Sequence, residues 1–65
     1  MNTDLTRLLS TFNLAVEAGL RVEAVQEDFA QNRNDRLVPA LEEASTAFRR
    51  AADGCEEMIK RLMSP

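Results

Sequence analysis

Side chains able to do chemistry are few in this chain, and their spacing suits chemistry poorly. Three carboxylate pairs occur: Glu27-Asp28, Glu42-Glu43 and Glu56-Glu57. Two carboxylates converging on one bond supply general acid–base chemistry. Adjacent residues of a helix point about 100° apart, so none of these pairs aims both groups at one substrate atom. One thiol, Cys55, is present, and histidine is absent. A cysteine nucleophile needs a base or a positive neighbour to hold it as thiolate. Zinc sites draw mainly on cysteine and histidine together. Gly19 and Gly54 stand alone, so neither a phosphate loop nor a dinucleotide fingerprint is present. The expectation is a non-enzymatic chain with no catalytic, cofactor-binding or metal site and no small-molecule substrate.

Charge narrows the partners. Eleven acids oppose eight bases, for a net charge of -3. The bases fall as Arg33 and Arg36, Arg49-Arg50 and Lys60-Arg61, which is a solvated surface rather than a basic stripe. Trp and Tyr are absent, which removes two stacking platforms. Nucleic acid is therefore not the expected partner. No apolar run approaches the roughly 20 residues of a membrane span, and no basic leader precedes an apolar stretch. A cytoplasmic location is expected. With 65 residues, 45% of them apolar, the chain makes one ordered domain.

Two amphipathic elements must carry whatever the protein does. Leu5, Leu8, Phe12, Ala15, Gly19, Val22, Gln26 and Phe29 advance by alternating steps of 3 and 4. Leu37, Leu41, Ala44, Phe48, Ala51, Cys55, Met58 and Leu62 do the same. Such steps mark heptad seams on helices. The boundaries read as a helix over about 3–32, a turn over about 32–36 and a helix over about 37–63. Asn2 or Thr3 is a candidate cap for the first helix, and Asn34 or Asp35 for the second. Pro39 is tolerated only in a first turn. Gly19 costs about 1 kcal/mol in a helix interior, but the heptad phase continues across it, so one helix is expected there.

A short polar link between two such helices makes an antiparallel hairpin. Folding about residues 33–34 pairs positions whose numbers sum to about 67. Leu5 then meets Leu62, Phe12 meets Cys55 and Gly54, Gly19 meets Phe48, and Val22 meets Ala44 or Ser45. Phe29 packs nearest the turn, against Val38 or Ala40. The expected hairpin core is Leu5, Leu8, Phe12, Gly19, Val22, Phe29, Leu41, Ala44, Phe48, Ala51, Cys55, Met58 and Leu62.

The apolar arc of the first helix is about 240° wide, against the 100° or so of a one-sided helix. Leu9, Leu14, Val16, Leu20 and Val25, with Ile59 and Met63, are left over as an expected dimer or partner interface. The fold class that follows is all-α: an antiparallel two-helix hairpin with a heptad seam, associating into a four-helix bundle. The expected partner is a second copy or another helical protein. A small adaptor, a chaperone, or a phage- or plasmid-encoded regulator fits this description. In overall shape the chain resembles the plasmid RNA-binding Rop hairpins, and equally the two-helix needle subunits and co-chaperones of type III secretion. The first resemblance implies a nucleic-acid-binding dimer and the second a secretion component.

Overall fold

Asp4 in the first turn complements the positive end of a helix that starts at Thr3. This helix, α1, runs over Thr3–Gln31 without a break at Gly19. Asn32 ends it by folding back: its side-chain Nδ2 donates to the Asp28 carbonyl at 2.9 Å and to the Asp28 carboxylate at 3.1 Å. A 3₁₀ turn over Asp35–Leu37 follows. It leads directly into α2, Val38–Met63. The cap of α2 is Leu37, which makes no side-chain capping bond, so Asp35 sits in the 3₁₀ turn instead. Pro39 occupies the first turn of α2, where its missing N–H costs nothing. Lys60 and Arg61 lie in the last turn, facing its negative end. The computed structural model describes residues 3–32 and 35–64. Asn2, Arg33, Asn34 and Pro65 lie outside the described residues.

The two helices pack antiparallel along their lengths. Near the turn, Gln26 Nε2 donates to Glu42 Oε1 at 3.4 Å. At mid-length, a Cβ built on Gly19 would lie 3.5 Å from Phe48 Cβ. At the open end, Asp4 and Leu8 share a recess with Met58 and Leu62. The result is a rod of 50 × 14 × 11 Å between Cα atoms. No helix of the described residues is long and apolar enough to cross a membrane.

The seam of α1 consists of the eight positions spaced by 3 and 4. Ala15 is buried and the other seven are half-buried. On α2 the inner face differs from the expected one. Leu41, Phe48 and Cys55 are half-buried, but the row beside them is Val38, Ser45, Ala52 and Ile59, with the last three buried. In the expected row, Leu37, Ala51 and Met58 are exposed and Ala44 is half-buried; Leu62 is exposed as well. α2 is thus turned by one residue position. Small side chains explain the turn. Ala52 comes opposite Ala15, and Ser45 lines the same groove as Gly19, so small residues lie where the helices meet.

The same rotation takes Gly54 away from Phe12. A Cβ added at Gly54 meets nothing within 4 Å. Gly54→Ala is therefore expected to stabilise the protein by about 0.5–1 kcal/mol, through helix propensity alone. A thermal melt of the variant reads this directly.

Candidate interaction surfaces

With heptad rows fixed, each side of the hairpin can be read as a surface. The leftover apolar residues do not form one interface. Val16 and Leu20 line a groove of about 280 Å³ on one side, whose floor is Ala15, Gly19, Ser45 and Ala52. Leu9 shares the helix row of Val16, and Met63 the corresponding row of α2. Leu14 and Val25 project from the opposite side of α1. Ile59 belongs to neither, because it is only 9% exposed within the seam. Met63 is 69% exposed.

The first side is half polar. Its α2 wall carries Arg49, Asp53 and Glu56. Across the groove, the Glu23 carboxylate accepts hydrogen bonds from Ser45 Oγ, at 3.2 Å, and from the Arg49 guanidinium. Glu56 also pairs with Lys60 at 3.3 Å, an i,i+4 bridge that holds this wall in water. Among the described residues, Glu57 and Arg61 do not close the matching pair.

Glu23 and Ser45 are an interhelical polar pair that hydropathy hides. Ser45 is buried at 7% exposure, and Glu23 is what satisfies it. Their numbers sum to 68, so the hairpin register was the available signal. Glu23→Ala is expected to cost about 1–2 kcal/mol, mostly from stranding the Ser45 hydroxyl. The exposed ion pair adds little to that. Urea denaturation of Glu23→Ala beside Glu23→Gln checks this, since glutamine retains an acceptor for Ser45.

The second side is apolar on α2 and mixed on α1, where Arg7, Leu14, Arg21 and Asp28 share one heptad row and Arg21 pairs with Glu17 at 2.7 Å. α2 presents Leu37, Ala40, Ala44, Ala47, Ala51, Gly54 and Met58 there, on two adjacent heptad rows. α1 adds Thr11, Leu14, Ala18 and Val25. Leu14 is 64% exposed and Met58 53%. Charge gathers at its open end, where Asp4, Arg7 and Arg61 surround a recess of about 470 Å³. Cys55 is a half-buried free thiol in the seam row next to this side.

No described cluster of three or more His, Cys, Asp or Glu side chains is arranged to hold a metal ion. The apolar sides are the features that ask for a function.

No family model, curated protein or solved structure matches the chain. What it does must be argued from these surfaces.

Proposed function

We propose that the chain is a protein–protein interaction module, a helical hairpin that completes its core by packing against further helices. The favoured form is a homodimeric four-helix bundle. A mixed bundle with another helical protein is the other form. The module is read as a non-enzymatic adaptor, chaperone or regulator.

One observation carries this reading. The chain exposes 5311 Å² of surface. A compact monomer of 7.3 kDa exposes about 4,200 Å² by the usual scaling of surface with mass. The radius of gyration is 15.0 Å, where a compact chain of this length has about 10.7 Å. Large apolar side chains lie in the excess surface, among them Leu14, Leu20, Met58 and Met63. Exposed apolar patches rimmed by polar residues mark association sites. The only cysteine has no partner in the chain, which suits a reducing compartment, so the reading includes the cytoplasm.

Co-expression of two differently tagged copies tests the reading. Recovery of both tags together in a complex resistant to moderate salt is the expected result. Retention on nucleic acid with a steep salt dependence would instead favour a nucleic-acid-binding hairpin dimer, even with both tags recovered.

A further inference from the structure

We propose that the second side of the hairpin, bearing Leu14, Val25 and Met58, is the surface that takes a second copy of this chain, with the copies related end over end. This rests on the association reading above and specifies its face, partner and symmetry.

Area supports a copy as the occupant. The surface in excess of a compact monomer is about 1,100 Å² per chain. Two chains covering that much each would bury about 2,200 Å² in total, which is the size of a stable homodimer interface. The two sides differ in what burial would cost. On the first side, covering α2 would desolvate Arg49, Asp53 and Glu56 together with their ion pairs. On the second side, α2 offers alanines, Gly54 and Met58 from residue 44 to residue 58, with no charge on those rows. Association there leaves the polar network around Glu23 in water and covers one exposed α1 pair, Arg21 with Glu17, against two pairs on the first side.

Charge then selects the symmetry. A two-fold axis along the rod would put both turns at one end and stack Arg7 and Arg61 against the same residues of the copy. A two-fold axis across the rod reverses the copy. Arg7 and Asp28 lie about equally far from the middle of α1, on one heptad row. Reversal therefore brings Arg7 to the second copy's Asp28, twice per dimer, and lays the aliphatic stem of Arg21 level with the second copy's Leu14. Among the described residues, neither side chain makes an ion pair within the chain. Ala18 and Ala51 sit near the helix midpoints and fall beside their own counterparts. Met58 comes level with the second copy's Ala44, so large again faces small.

Sedimentation of charge and cysteine variants tests this. Leu14→Arg, which falls level with the second copy's Arg21, and Met58→Glu change exposed residues, so the hairpin itself is spared. Each change occurs twice across the axis, so a tenfold loss per site weakens the dimer about 100-fold. Leu20→Glu, equally exposed on the first side, is expected to leave the dimer intact. Arg7→Asp weakens association, and adding Asp28→Arg restores it. In a Cys55→Ser background, Ala18→Cys and Ala51→Cys should each oxidise to a linked dimer. A dimer broken by Leu20→Glu but not by Leu14→Arg would overturn the assigned face while leaving association standing. Linkage of Ala18→Cys only to Ala51→Cys, in a mixture, would overturn the end-over-end symmetry. A folded monomer for the unmodified chain would overturn both the inference and the reading beneath it.

Discussion

Ile59→Asp is expected to unfold most of the protein, while Met63→Asp, four residues on, should leave it essentially unchanged. Ile59 is one of the few large side chains taken out of water by the hairpin itself. Its removal costs about 2–5 kcal/mol as lost apolar burial and cavity. A carboxylate placed there has no cation in reach along the buried row of Val38, Ser45 and Ala52, so desolvation adds to the loss. A chain of this size has a stability of only about 3–10 kcal/mol. The substitution therefore consumes most of it. Met63 stands in water near the end of α2 and has little to lose. Circular dichroism of the two variants at one concentration reads the contrast. Equal helicity in both would mean that Ile59 is not in the seam, and that α2 presents Met58 to α1 instead.

Gly19 gives the second large effect, with a change of sign between two substitutions. An added Cβ would lie 3.5 Å from Phe48 Cβ, which is ordinary van der Waals contact. Gly19→Ala is therefore expected to fit, and to stabilise α1 by about 0.5–1 kcal/mol through helix propensity. Gly19→Leu has to push its branched end against Phe48 and is expected to cost about 1–3 kcal/mol. For a domain of this size, 1 kcal/mol moves the melting temperature by about 4–8 °C. The two variants should thus melt on opposite sides of the unmodified protein. Leucine melting level with alanine would place Phe48 elsewhere.

The α1 seam was legible because it is written in large apolar side chains at alternating steps. Leu5, Leu8, Phe12, Val22 and Phe29 admit one phase on a helix. Gly19 against Phe48 followed from folding at the polar link. α2 was ambiguous for a physical reason. Leu41, Phe48, Cys55 and Leu62 fit two seams, one completed by Leu37, Ala44, Ala51 and Met58, the other by Val38, Ser45, Ala52 and Ile59. Hydropathy favours the first set because it has no hydroxyl. Close packing favours the second because Ser45 and Ala52 let α2 approach the small positions of α1. A periodicity reading weighs polarity and not volume, so it sees the wrong advantage. The bond from Ser45 to Glu23 was invisible for the same reason, since it needs the register before it can be drawn.

The same turn of α2 decides how the candidate interface divides. With Met58 and Ala51 outside, α2 becomes apolar along one side of the rod, beside Leu14, Ala18 and Val25 of α1. With Arg49 and Glu56 opposite Val16 and Leu20, the other side becomes mixed. The expected interface combined Leu9, Leu14, Val16, Leu20, Val25, Ile59 and Met63 because helix α1 alone cannot distinguish its two flanks. Only the position of α2 separates them.

Sedimentation equilibrium of the unmodified chain over a dilution series, with helicity followed in parallel, tests most directly whether this hairpin is half of a bundle. Its stability should then depend on concentration. The expected result is a mass of about twice 7.3 kDa at micromolar concentration, with mass and helicity falling together on dilution. A single-chain mass throughout, with full helicity and a cooperative melt that does not move with concentration, would contradict it.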